Sequence, residues 1–292
     1  MTNLPSKSKF LLIRLRSLGD CVLTTPAIRL LKAWLPQSEI GVVVEDRFRE
    51  IYADNPDISA ILPPVLAKVR EFEPTITINL HGGTRSAVLT AASGARWRAG
   101  FAHFRPSWIY NVRIPRAQEI LGVSRTVHTA EHVASAMFYL GVPKQEIPRA
   151  VLYASSSSLQ RYAVIHPFAS SPEKCWPASR FLAVASSLDL QPVFIGSPTD
   201  DFSPFDRFAC YRGSLAQTKQ LLSAASLFIG NDSGPAHMAA AFGVPSIVLF
   251  GRSDEVVWAP WKTDSQVLKR VPLTGLKVEE VTNAISRVRV QV

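Results

Sequence analysis

The chain has 292 residues, 47% of them hydrophobic and 19% charged, with a formal net charge of +9. This describes a globular protein with a sizeable core. Cys21, Cys175 and Cys210 lie far apart without CxxC spacing, which argues against a disulfide framework or a zinc ribbon and fits a reducing compartment.

No apolar stretch approaches the roughly 18–20 residues that span a bilayer. The charge is uneven. Residues 1–150 hold 19 Lys and Arg against 12 Asp and Glu, whereas residues 151–292 hold 13 against 11. The first half therefore favours an anionic partner such as a phosphorylated lipid head group, a membrane surface or nucleic acid, beside the plainer reading of solubilising charge. No run of Lys or Arg with interleaved aromatics marks a nucleic-acid groove, so no nucleic-acid partner is expected.

The start, MTNLPSKSKFLLIRLR, has an apolar part of only four residues (10–13) before Arg14. A secretory signal needs about 7–15, so the segment reads as a first strand and the protein as cytoplasmic. FLLIRL (10–15) leads into the helical pattern PAIRLLKAWL (26–35), followed by buried strands IGVVV (40–44) and ITINL (76–80). The grammar begins again with YAVIHP (162–167), PASRFLAVASSL (177–188), PVFIG (192–196), SLFIG (226–230) and SIVLFG (246–251), and a final helical segment covers 278–289. Strands alternating with helices indicate α/β domains with parallel sheets and right-handed crossovers. The serine-rich stretch IPRAVLYASSSSLQR (147–161) reads as a linker. The expectation is two doubly wound, Rossmann-like domains, 1–150 and 151–292, with a cleft between them. Ligands in such sheets bind at the carboxyl ends of the strands.

Four loops at those ends carry candidate chemistry. In RSLGD (16–20), Gly19 permits an unusual backbone angle or a close approach, and Asp20 reads equally as a helix cap and as a general base. Thr25-Pro26 offers a better cap for the next helix. In HPFASSPEKCWP (166–177), Lys174 stands ahead of the following helix, where an ammonium complements a phosphate or is simply solvated. In GSPTDD (196–201), Gly196 with Asp200 or Asp201 could meet a ribose or base. The two aspartates diverge on an extended backbone, so an ordinary polar loop is favoured over a metal site. In GNDSGPAH (230–237), Pro235 suits a first helical turn, which puts Ser233 and Gly234 at a helix start able to receive a phosphate. His237 falls in that first turn and faces the same mouth. Asp232 either ties down the loop's own N–H groups or meets a sugar hydroxyl, and a plain turn with a packed His is the simpler alternative. GxGxxG after the first strand, a P-loop, GxSxG and HExxH are all absent from the sequence.

Taken in order, IRLRSLGDCVLTTPAIRLLK (13–32), NLHGGTRSAVLTAASGARWRAGF (79–101), HPFASSPEKCWPASRF (166–181) and NDSGPAHMAAAFGVPSIVLFG (231–251) resemble glycosyltransferase family 9, the bacterial lipopolysaccharide heptosyltransferases. The resemblance implies the GT-B fold, with the acceptor on the first domain and the nucleotide-sugar on the second. It implies a metal-independent, cofactor-free, inverting transfer from ADP-heptose to an inner-core sugar on lipid A. Asp20 then matches the general base, Lys174 the contact to the donor diphosphate, Ser233 and Gly234 the phosphate cradle, and Asp232 and His237 further donor-site positions. Ser17, Gly19, His81 and Arg85 stand on the acceptor side. The expected partners are a nucleotide-sugar and an anionic glycolipid at the inner face of the membrane, contacted peripherally by a monomer. Where the family often reads FGPT, this chain has Arg252-Ser253 after Gly251. The competing readings are a family member using another nucleotide-sugar or surface-glycan acceptor, and a nucleotide- or glycan-binding protein that has lost transfer.

Overall fold

The structure, a computed structural model, describes residues 7–155 and 161–290; positions 156–158 of the serine run expected to be a linker lie outside them. The chain divides into two compact units, 1–148 and 149–292. In unit 1 the strands are β1 (Lys9–Ile13), β2 (Glu39–Val43), β3 (Ala60–Leu62), β4 (Ile76–Asn79), β5 (Trp97–Phe101) and β6 (Val112–Ile114). Its helices are α1 (Leu18–Val22), α2 (Thr25–Trp34), α3 (Leu66–Glu71), α4 (Thr84–Ala91), α5 (Ala117–Leu121) and α6 (Thr129–Leu140). Unit 2 has β7 (Tyr162–His166), β8 (Gln191–Ile195), β9 (Ala209–Tyr211), β10 (Leu227–Asn231), β11 (Ser246–Phe250) and β12 (Ser265–Lys269). Its helices are α7 (Ala178–Ser186), α8 (Leu215–Ser223), α9 (Gly234–Phe242), α10 (Glu255–Trp258) and α11 (Val278–Ile285).

The first sheet runs β3-β2-β1-β4-β5-β6 and the second β12-β11-β10-β7-β8-β9, so the second repeats the first order read from its other edge. Neighbouring strands among the described residues pair in parallel, for example Leu11 opposite Gly41 and Thr77, and Ile229 opposite Ile247 and Ile165. Parallel sheets are covered on both faces, and the strands are accordingly continuous apolar runs: Phe10 to Ile13 in β1 and all of β11 are buried. In unit 2 one face packs Ile165, Phe194, Ile229 and Leu249 against Trp176, Phe181 and Val281. No helix among the described residues is long and apolar enough to cross a membrane.

This order has a positional consequence. Strand order reverses between β1 and β4 in unit 1, and between β7 and β10 in unit 2. Crossovers leave the sheet in opposite directions there and open a crevice at the strands' carboxyl ends. Asp20 and His81 follow β1 and β4, whereas Lys174 and the 232–234 turn follow β7 and β10. An asparagine organises each crevice. Asn79, ending β4, accepts from the N–H groups of His81 and Gly82 and donates to Tyr110 Oη at 2.9 Å. Asn231, ending β10, accepts from Trp176 N at 3.1 Å and donates to the Pro167 carbonyl at 2.7 Å, so it pins both ends of the loop that carries Lys174.

Candidate active site

After β1 the chain reaches Ser17, the N-cap of α1, and Asp20 is the third residue of that helix. Its carboxylate closes a capping box, accepting at Oδ2 from Ser17 N at 3.3 Å and Ser17 Oγ at 3.1 Å. The other oxygen, Oδ1, accepts from Arg14 Nη1 at 3.2 Å. Arg14 is buried, while 23% of the Asp20 side chain remains exposed. The cap and base readings are therefore compatible. A carboxylate offers about four lone-pair directions, so this one is held by three donors and can still meet a substrate hydroxyl. Gly19 needs no left-handed angle, because it lies buried inside α1. The next helix starts one residue earlier than the Thr25-Pro26 reading, with Thr24 as its N-cap. Cys21 is no nucleophile, since burial pushes its thiol up to about 12.

His81 belongs to the same neighbourhood. Burial first, then Arg14 and Arg16, hold it below the usual histidine value against the opposing pull of Asp20, and it hydrogen-bonds the Arg16 backbone. Arg85 is placed differently, on the first turn of α4, where it reaches the Pro64 carbonyl at 3.5 Å and Glu45 at 3.7 Å. Three residues of this crevice were not singled out from sequence. In sequence Arg14 only interrupts the run FLLIRL. His132 stacks on Phe101 with ring centroids 4.1 Å apart, and burial, His103 and Arg14 hold it down to about 4. His103 lies 5.9 Å from His132 between ring centroids.

In unit 2, Ser233 is the N-cap of α9, yet its side chain does not cap the helix. Its hydroxyl donates to the Asn231 carbonyl at 3.0 Å and meets His166 Nδ1 at 3.0 Å. That pattern assigns the proton of the neutral imidazole to Nδ1. The start of α9 thus receives no side-chain cap and keeps its partial positive charge for an anion. Lys174 Nζ lies 3.4 Å from Asp232 Oδ2. The ammonium therefore stands at the start of α9, rather than beside the helix that follows it in sequence. This pairing also accounts for a carboxylate beside the uncapped helix start: Asp232 holds the Lys174 ammonium in place. His237 is buried in α9, edge-on to Trp258 at 6.2 Å.

The 196–201 loop divides. Asp200 accepts from Ser197 N at 2.6 Å and acts electrostatically on His166 and Cys175, which places it on the Lys174 side. A Cβ at Gly196 would come within 2.6 Å of the Phe168 ring and 2.8 Å of Asp200, so this close packing requires glycine. Asp201 instead accepts from Ser203 N at 2.9 Å, outside the cluster. Among the described residues no three His, Cys, Asp or Glu side chains gather to hold a metal ion. Arg252, just after β11, lies within 4.0 Å of Glu173 on the rim of a cavity of about 330 Å³ beside the Lys174 loop.

Burial holds His166 down to about 4, whereas an unfolded histidine titrates near 6.5. The native state therefore refuses a proton that the unfolded chain accepts. The stability due to neutral His166 is fully present above about pH 6.5 and falls as the pH drops toward 4. Between pH 7 and pH 5 this residue should remove about 2 kcal/mol of unfolding free energy. Urea melts at the two values check this: His166→Gln should lose that much less than the unaltered chain, and equal losses would contradict the assignment.

The sequence pattern of glycosyltransferase family 9 (heptosyltransferase) matches residues 65–282. Lipopolysaccharide heptosyltransferase 3 of Escherichia coli is 28% identical over 293 residues, covering 84% of each chain. Among solved structures, a family 9 glycosyl transferase from Veillonella parvula superposes with a TM-score of 0.84 at 21% identity, covering 96% of both chains. The E. coli ADP-heptose lipopolysaccharide heptosyltransferase II gives 0.80 at 20% identity, covering 95% of this chain and 97% of that one. These likenesses identify the fold of the two sheets as GT-B.

Proposed function

The chain belongs to glycosyltransferase family 9, and from that premise we propose that it transfers heptose from ADP-heptose to an inner-core sugar of a lipid-anchored lipopolysaccharide acceptor. The support for the donor is the naming of its relatives, an ADP-heptose enzyme among them. The observation that carries the chemistry is that each unit holds a charged site at its own strand-order reversal. Unit 1 holds a partly open carboxylate, and unit 2 holds an ammonium beside an uncapped helix start.

In this reading Asp20 takes the proton of the acceptor hydroxyl as that oxygen attacks the anomeric carbon. The bond from the anomeric carbon to the β-phosphate oxygen breaks, and ADP leaves with the electron pair. Lys174 and the Ser233-Gly234 start of α9 meet the charge that develops on the diphosphate. Attack from the face opposite the leaving group inverts the anomeric centre. In this reading Lys174 supplies the positive charge at the diphosphate, in line with a metal-independent transfer. Asp200, with Gly196 behind it, is assigned to the donor's ribose, and Asp232 to orienting Lys174. Arg14 and Ser17 position Asp20, while His81 lines the acceptor side.

Thermal stabilisation tests the donor. A ligand that binds only the folded state stabilises it by RT ln(1 + [L]/Kd), about 2.7 kcal/mol at a hundredfold excess over Kd. ADP and ADP-heptose should raise the melting temperature, with UDP and GDP and their sugars giving little. UDP or GDP selectivity would shift the reading to another surface glycan, and nucleotide binding without turnover on any purified acceptor would favour a binding protein.

A further inference from the structure

Between residues 74 and 118 the sequence holds six arginines and no Asp or Glu, so this segment carries most of the net charge of +9. The same region gathers exposed apolar side chains. Val65 and Leu66 at the start of α3, Val88 on α4, and Trp108 are all exposed, the last at 76%. Helix geometry shows how they meet. Successive residues turn by about 100°. Ser86 and Leu89 point into the unit. Ala87 packs on Ile109 and Tyr110, next to Trp108, on one flank. Arg85 reaches Pro64, next to Val65, on the other. Val88 falls between those two directions and so stands at the centre of an outward face, with Trp108 to one side and Val65-Leu66 to the other.

Arginines rim this face. Arg105 donates to Ser107 in the turn Ser107–Ile109, and Arg113 is exposed on the edge strand β6. Arg98 is spent inside, donating to the Ile109 carbonyl at 3.0 Å, which fixes the turn that presents Trp108. Tyr110 ties the same turn to Asn79, whose other amide atom holds His81, so the face adjoins the Asp20 crevice.

We propose that this face of unit 1 seats the protein on an anionic lipid bilayer, with Trp108 and Val88 entering the head-group layer and the arginines pairing with lipid phosphates. An exposed Trp and aliphatic centre ringed by arginine is the composition of an interfacial anchor. A single-stranded nucleic acid would instead call for several open rings on which successive bases stack. Here Trp97 is covered by its own neighbour Arg96, 5.1 Å from the ring, which leaves Trp108 to project alone. The lipid-anchored acceptor of the proposed function gives the surface its use, but the docking rests on these residues by themselves.

Co-sedimentation of the full chain with phosphatidylglycerol vesicles and with phosphatidylcholine vesicles tests it. Binding should favour phosphatidylglycerol and weaken with salt. Arg105→Gln and Arg113→Gln should each lower the partition about fivefold. Trp108→Ala should lower it at least as much, and all three should keep the melting temperature and the rate on a deacylated, water-soluble acceptor. Equal binding to both lipids, unchanged binding by the variants, or preference for a single-stranded oligonucleotide that the same variants abolish would each overturn the proposal. A chain that transfers to the soluble acceptor and ignores vesicles overturns the docking alone. One that binds vesicles through these residues and transfers to no acceptor sustains the docking and overturns the transfer.

Discussion

Asp20→Asn should lower the transfer rate by about 10²–10⁴-fold while leaving ADP affinity within about twofold. The amide keeps the size of the carboxylate but cannot take a proton at neutral pH. Because Oδ1 and Oδ2 both accept hydrogen bonds, from Arg14 and from Ser17, the amide turns an N–H₂ toward one set of donors. That weakens hydrogen bonds to a charged group, each worth about 1.5–3 kcal/mol, so a lower melting temperature accompanies the kinetic loss. Asp20→Glu separates the two effects. It retains a basic carboxylate displaced by one methylene, and a misplacement of about 1 Å costs about 10²-fold in rate. Single-turnover rates set beside equilibrium ADP titrations read the split. Near-normal turnover by Asp20→Asn would remove this residue as the base, and an equal loss of ADP affinity would make its role structural.

Lys174→Ala should reduce turnover by about 10²–10³-fold and weaken ADP binding, since the proposed contact to the departing diphosphate is lost. The partner left behind sharpens the effect. Asp232 is only 12% exposed at its side chain, and without the ammonium 3.4 Å away its charge faces the incoming phosphates. Lys174→Ala with Asp232→Asn should therefore recover part of the lost ADP affinity, a coupling that a double-mutant cycle measures. Steady-state kinetics and ADP calorimetry on the four proteins check it. Simple additivity would separate the two residues, and unchanged ADP affinity in Lys174→Ala would remove the cation from the donor site.

Much of the architecture is legible because parallel strands buried on both faces are unbroken apolar runs, as in FLLI and SIVLF. The edge strands β3, β6 and β9 are three residues each, too short for any period to show. The duplicated sheet order is invisible for another reason, since pairing among distant strands leaves no local mark. The same contrast holds in the site. Asp20, Lys174, Asp232 and Ser233 stand out as polar residues where apolar strands end. Their partners do not: Lys174 meets Asp232 across 58 positions, and Ser233 meets His166 across 67. Arg14 reads as an interruption of the run FLLIRL until its guanidinium is seen on Asp20. His132 sits near the start of α6, a helix buried on nearly every side, where a histidine looks like any packed residue.

The proposed transfer is a single inverting displacement, with Asp20 as the base and Lys174 and the start of α9 meeting the leaving group. Its most direct test is the anomeric configuration of the new linkage, read by NMR on the product formed from ADP-heptose and a purified core acceptor. One ADP should be released for each linkage made, with the anomeric configuration opposite to that of the donor. A linkage that retains the donor's configuration, or ADP released with no linkage formed, would contradict it.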